Sequence, residues 1–199
     1  KFGYVDPEIT YRSLGIQFSY TGIDMGSSFG NSIHDTNQSS IFTNLVYNSI
    51  IGNTNNKIKT GISISYDEYD EYVNNLGVND FDISRIEKSV GAYFEYNYDN
   101  SDKINLSAGI RFDNHNKIGN FISPRFHMNY MVLPKSTIKF SYGKATRLAN
   151  IFSENQKLFY SSREIIFTEN SLPSDFSSMK ADQAWNYGVS IINSFKLFG

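Results

Sequence analysis

The side chains best suited to chemistry are the three histidines, His34, His115 and His127. A metal site needs several ligands at short, element-specific spacings, and no histidine has a partner at such a spacing. The chain has no cysteine, so thiolate sites, thiol nucleophiles and disulfide scaffolds are excluded. Histidine with serine and aspartate would suggest a hydrolase, but no nucleophile elbow is present and the residues scatter. The run Asp67-Glu68-Tyr69-Asp70-Glu71 concentrates carboxylates without the spacing or the glycine of an EF-hand loop. It reads as a solvated rim where a strand exits into a loop. Gly143-Lys144-Ala145-Thr146 lacks the upstream glycine of a phosphate loop, and no Ser or Thr follows Lys directly. No catalytic residue, metal site or cofactor is therefore expected, and the chain reads as something other than an enzyme.

The bulk properties narrow the field further. A formal net charge of −2 over 199 residues gives no electrostatic case for nucleic acid. No apolar run approaches the ~18 residues of a membrane helix, which leaves strand-built membrane proteins open. Position 1 is Lys and no signal peptide is visible, so the chain is expected to be mature or truncated at its front. Fourteen Tyr and sixteen Phe beside four Pro and one Trp favour strands over helices.

The elements that would hold any site have period two. In 84–98, Ile86, Lys88, Val90, Ala92, Phe94, Tyr96 and Tyr98 alternate with Arg85, Glu87, Ser89, Gly91, Tyr93, Glu95 and Asn97. In 103–114, Ile104, Leu106, Ala108, Ile110 and Phe112 oppose Asn105, Ser107, Gly109, Arg111 and Asp113. Segments 10–21, 57–69, 121–132, 137–146 and 182–198 divide the same way. Segment 38–50 is strand-like with an ambiguous facing, because Phe42, Val46 and Ile50 share a parity with Asn44 and Asn48. About eight strands result, several of them near the ~9–11 residues that cross a bilayer. A short helix is conceivable only over 148–160.

The connections alternate in length. Segments 22–37, 70–83 and 147–181 read as long loops and 115–120 as a medium one. Segments 51–56, 99–102 and 133–136 read as short turns rich in Gly, Asn, Asp and Pro. Outer-membrane barrels sort their loops in this way, long outside and short on the periplasmic side. Tyr and Phe also gather at strand ends, as interface girdles do. The fold expected is all-β: one segment, 1–199, of antiparallel up-and-down transmembrane β-barrel wall.

Such a wall turns charges away from lipid. Arg85, Glu87, Glu95, Arg111, Asp113, Arg125 and His127 are expected to face the lumen, mainly as an inter-strand ionic network. Ligand contact is expected in the outer loops, with Arg147, Asn150, Glu154 and Arg163 as candidates; His34 and His115 are assigned to loops.

Gly109-Ile-Arg111-Phe-Asp113 followed by Ser123-Pro124-Arg125-Phe126 resembles TonB-dependent receptors. Phe140-Ser-Tyr-Gly143-Lys-Ala-Thr-Arg147-Leu-Ala-Asn150 looks like the family's next strand and exit, with Glu154 beyond. Lys180-Ala-Asp182-Gln-Ala-Trp185-Asn-Tyr187-Gly188 looks like the strand after that, with Asp182 in place of the usual carboxylate position. Upstream, Asn44-Leu45, Gly52 to Asn55 and Thr60-Gly61 to Tyr66-Asp67 resemble Bacteroidetes-type members. The likeness covers roughly 39–199. It implies a barrel of ~22 strands around a plug, of which this chain would be an open arc. The plug domain is absent from the sequence, and the chain is expected to continue beyond Gly199. The intact protein would lie in the outer membrane of a Gram-negative bacterium and contact lipid, its own plug and TonB. It would take up a scarce small ligand, such as the metal chelate of a siderophore, or cobalamin. A complete eight-stranded barrel of structural or adhesive role is the rival, and it would require 10–21 to pair with 182–198.

Overall fold

A computed structural model describes residues 2–5, 12–30, 32–74, 81–100, 103–148 and 180–194. They form one sheet of nine antiparallel strands in sequence order. The strands are β1 (Phe2–Val5), β2 (Arg12–Phe29), β3 (Ser32–Ile50), β4 (Asn56–Asn74) and β5 (Phe81–Asn100). They continue with β6 (Ile104–His115), β7 (Gly119–Leu133), β8 (Ser136–Arg147) and β9 (Asp182–Asn193). β1, with four residues, is too short to leave a periodic signal and was not expected. β2 pairs with β1 and β3, and β9 with β8, so nothing joins the 10–21 region to the 182–198 region among the described residues. The sheet is unclosed.

The register carries one parity of each strand onto each face, because residues directly opposite share a side. Ile16, Leu45, Ile62, Ala92, Phe112 and Ile122 form one cross-strand row. Gln17, Asn44, Ser63, Gly91 and Asp113 form the adjacent row on the other face. The ambiguity in β3 is thereby resolved: Phe42 sits between Ser19 and Ser65 on the polar face, while Ile41 and Leu45 belong to the apolar one.

Burial is the reverse of that in a water-soluble domain. Phe18, Tyr187, Val189 and Ile191 are each at least 65% exposed. Ser63, Glu71, Arg85 and Asp113 are at most 5% exposed. A contiguous exposed apolar surface of this extent needs a non-aqueous neighbour.

Two expected loops are strand. The stretch 22–37 is mostly the far end of the β2–β3 hairpin, with Gly30 at φ 63° just past the end of β2. Within 70–83, β4 continues to Asn74 and β5 begins at Phe81. At these two connections the extra length is projecting strand, whereas β8 and β9 are joined by a connection that is itself long, from Arg147 to Asp182. Sequence reading failed here because the amphipathicity inverts. Beyond Tyr20 and Tyr66 the formerly apolar face carries Asp24, Glu68, Asp70 and Asp82, and the polar face carries Ile23, Met25, Val73 and Ile83. The β6–β7 turn is shorter than expected, because β6 reaches His115 and β7 starts at Gly119. All but the first residue of the helix expected over 148–160 and most of the 147–181 loop lie outside the described residues, as does the 195–198 end of the last predicted strand.

At the opposite end, the β3–β4 turn shows why its residues were chosen. Gly52 adopts φ 71°. The Asn53 side-chain oxygen accepts from Asn55 N at 3.1 Å and from Asn56 Nδ2 at 2.6 Å, satisfying the turn locally. A β-branched residue at 52 would be forced into the left-handed region, which costs about 1–2 kcal/mol, whereas Asn tolerates it. Gly52→Val is therefore expected to lower the urea midpoint of the refolded intact barrel, and Gly52→Asn to leave it nearly unchanged.

Candidate functional site

The polar face is built from long side chains that lie across glycines. Tyr93 on β5 passes over Gly61 on β4 and donates to Asn44 Oδ1 on β3 at 3.3 Å. A Cβ at Gly61 would stand 2.6 Å from the Tyr93 hydroxyl. One strand further on, Arg111 on β6 passes over Gly91 and donates from Nη2 to Ser63 Oγ on β4 at 2.7 Å. The same guanidinium grips Asp113, with Nε to Oδ2 at 2.7 Å and Nη2 to Oδ1 at 2.6 Å. A Cβ at Gly91 would run into the Asp113 carboxylate that this guanidinium holds, and would lie 2.5 Å from Arg111 Nη2. One strand further again, Arg125 on β7 passes over Gly109 and pairs with Glu95 on β5. Each tie skips one strand, so β3 to β7 are linked by overlapping braces. Absence of a Cβ is what lets each side chain lie flat.

A second group sits where the hairpins project. Arg85 Nη1 donates to Glu71 Oε2 at 3.0 Å, and Arg85 Nε donates to Glu87 Oε1 at 2.9 Å. Tyr69 stacks against the guanidinium, 4.0 Å from its carbon. His34 Nε2 lies 4.0 Å from Glu71 Oε1 and 3.1 Å from Thr36 Oγ1. His115 Nε2 lies 3.7 Å from Glu87 Oε2. The side chains of Glu71, His34 and Arg85 are 0%, 0% and 3% exposed. Removing one member of such a buried set leaves the other charge uncompensated, typically at about 3–5 kcal/mol. The loop assignments of His34 and His115 are thus corrected: His34 is on β3 and His115 closes β6. Nothing in the one-dimensional pattern could have found His34, because its partners are set by a register that continues where hydrophobic alternation has ended.

The acidic run also reads differently in three dimensions. It lies within β4, short of the loop, and the pleat sends Asp67, Tyr69 and Glu71 to one face and Glu68 and Asp70 to the other. His127 is exposed between Ser107 and Ser141 on the polar face. Arg147 ends β8 and faces Asp182 on β9 at 3.5 Å, with both side chains more than half exposed. A pair that open is worth little. Asn150, Glu154 and Arg163 lie outside the described residues. A cavity of about 500 Å³ runs from the braces over β6–β9, with Tyr93, Arg111, Arg125, Ser123, Gly143 and Asn186 among its lining residues. Among the described residues this face offers fixed charges and hydrogen-bonding groups held by one another, which suits contact with a polar partner.

A family model described as TonB dependent receptor-like, beta-barrel, matches residues 2–195. The structure of the FpvAI–pyocin S2 complex superposes with a TM-score of 0.60 at 11% identity, over 95% of this chain and 28% of that one. The copper transporter OprC gives a TM-score of 0.58 at 13% identity, over 93% of this chain and 34% of that one. The ferric enterobactin receptor PfeA in complex with BCV-L6 gives 0.52 at 12% identity, over 94% and 34%. No curated protein matches the sequence. At these identities the structural likeness shows the fold alone, and the chain spans about a third or less of the structures it resembles.

The glycine-crossed braces make a specific prediction. Gly91→Ala is expected to cost about 1–3 kcal/mol, as overpacking does, and distinctly less when Arg111→Ala has already removed the side chain above it. The comparison is a double-mutant cycle on unfolding of the intact barrel; equal cost in both backgrounds would show that Arg111 does not rest on Gly91.

Proposed function

This chain belongs to the TonB dependent receptor-like β-barrel family, and from that premise we propose that it is wall from an outer-membrane receptor that imports a scarce ligand. The family comprises receptors and transporters, which are not enzymes. The observation that carries the reading is the match over 2–195 on an unclosed sheet whose exposed face is apolar. With the apolar rows against lipid, the inner strands pair their backbones within the sheet, as a bilayer demands, and the outer edges of β1, β2 and β9 are left for further strands of the barrel. Arg85, Glu87, Glu95, Arg111, Asp113, Arg125 and His127 then face the lumen, toward a plug supplied by the rest of the receptor.

Strand length supports the orientation. β2 to β5 have 18, 19, 19 and 20 residues. A tilted strand crosses the bilayer in ~9–11. The surplus lies at the hairpin end, which projects outside the cell in this reading and carries the ligand-facing surface with the Arg147–Asp182 region at its base. Asn150, Glu154 and Arg163 are proposed as ligand contacts in the same outer region. Two of the structural neighbours are named for ferric enterobactin and for copper, which makes a metal chelate such as an iron–siderophore our first choice, with cobalamin next. TonB acting on the plug would drive passage. A complete eight-stranded barrel has no support in the strand order, which leaves β1 and β9 as separate edges.

The test is uptake by the intact receptor in cells lacking their own siderophore and cobalamin receptors, with labelled ferric siderophores, cobalamin and copper. Accumulation of one of these is expected, and it should vanish in a TonB-deficient strain. Accumulation that persists without TonB would overturn the proposal. Lipid facing is tested separately. Phe94→Arg should cost roughly 2–4 kcal/mol in folding into lipid vesicles, because it sits within the apolar rows; Ser89→Arg on the other face should cost much less.

A further inference from the structure

Two cations interrupt the apolar face of β5 and β8, and they share one arrangement. Lys88 stands opposite Tyr66, and Lys144 opposite Trp185. Lys88 Nζ lies 5.3 Å from the Tyr66 ring centroid, and Lys144 Nζ lies 5.4 Å from that of Trp185. Lys144 ends the apolar row of β8 on the hairpin side, and Lys88 lies one pleat short of that end in β5, with Ile86 beyond it. Val90, Ala92 and Phe94 follow Lys88 toward the short turns, and Tyr142, Phe140 and Ile138 follow Lys144. Neither lysine forms an ion pair among the described residues. Among the described residues, the same face of β6, β7 and β9 carries no Asp, Glu, Lys or Arg beside Lys144, while Glu68 on β4 shares the face of Lys88 without pairing with it.

A lysine turned to lipid is costly at mid-depth, and the cost falls toward zero at the boundary, where its stem covers apolar surface and its head reaches water. The aromatic ring holds the ammonium on one side. Its remaining donors point to an acceptor outside the protein. Tyr142 packs on Trp185 at 5.7 Å and on Tyr187 at 5.4 Å, so the Lys144 site continues without a break into an aromatic and aliphatic surface that acyl chains can cover. A free anion would gain nothing from that continuation. We propose that Lys88 on Tyr66 and Lys144 on Trp185 are binding points for the phosphate groups of anionic lipid in the leaflet at the hairpin end. The proposal rests on the outer-membrane reading above and adds a lipid partner of defined chemistry at defined residues.

The experiment uses purified intact receptor in neutral detergent, titrated with diphosphoryl lipid A and followed by native mass spectrometry. Heat-modifiable gel mobility confirms that each variant is folded. Wild type should retain the lipid, and K88Q/K144Q should bind it roughly tenfold more weakly or worse. K88R/K144R should bind nearly as wild type does, since the charge and the stacking remain. Wild type should also prefer the phosphorylated lipid to its dephosphorylated form, an arm that needs no variant. Equal binding by the glutamine variant, or indifference to the lipid phosphates, would overturn the proposal. Displacement by millimolar inorganic phosphate would overturn it too, by showing a free-anion site. Ligand uptake is read in cells and lipid retention on purified protein, so failure of one is distinguishable from failure of the other.

Discussion

Every side-chain contact in this sheet depends on the register of the pleat. Side chains alternate between faces with period two, so a slip of one residue would exchange the faces completely. A slip in β5 would carry Arg85, Glu87 and Glu95 to the side of Ile62 and Phe112, and would bring Phe94 to the side of Asn44 and Ser63. The β2–β3, β3–β4 and β4–β5 pairings run through all their residues without irregularity. The break between Met131 and Leu133 falls at the turn end of β7, where it disturbs no charged contact. Apolar rows on one face and charge pairs on the other oppose the same slip, and neither would suffice alone in a single-layer sheet.

The braces solve a problem that a single layer creates. A two-layer domain holds its strands by packing a second element onto them. Here one face has no partner layer of its own chain among the described residues, and the strands are tied along the surface instead. A tie to the next strand would only repeat what the backbone ladder already does. Tyr93, Arg111 and Arg125 reach the strand beyond it, and Gly61, Gly91 and Gly109 supply the clearance. Glycine weakens a strand by itself; at Gly91 and Gly109 its use follows from the side chains that lie across it, and at Gly61 the Leu45 carbonyl crowds the position along with Tyr93.

The two-faced strands were legible in the sequence because each apolar row repeats every second residue, as Ile104 to Phe112 does against Asn105 to Asp113. Fold class, strand order and the parity of Arg85, Glu87, Glu95, Arg111, Asp113 and Arg125 followed from that alternation. The braces were not legible. That Arg111 meets Ser63 depends on register across two strand pairs, and no local pattern encodes it. β1 was missed for its length, and the 22–29 and 32–37 stretches for the loss of the expected alternation. The residues of the long 147–181 connection carried the ligand guesses on position alone, and most lie outside the described residues.

The inversion of amphipathicity explains both the misread loops and the position of the buried charges. β4 shows it in one strand. From Ile58 through Ile62 and Ile64 to Tyr66, its hydrophobic side is the face that is exposed in this sheet; from Glu68 onward that face is acidic, and Val73 on the opposite face is fully buried. Ile83 on β5 mirrors Val73, and the two are the buried hydrophobic residues among the described positions. A strand that passes from one solvent into another must exchange the side on which it hides apolar surface, since each solvent rewards a different face. Past the exchange, the hairpins behave like part of a water-soluble protein with a small core of their own. His34, Glu71 and Arg85 are buried beside that core, where each charge is held by its neighbour and solvent contributes little. The geometry of the projecting ends is thus set by their own contacts as well as by the wall beneath them.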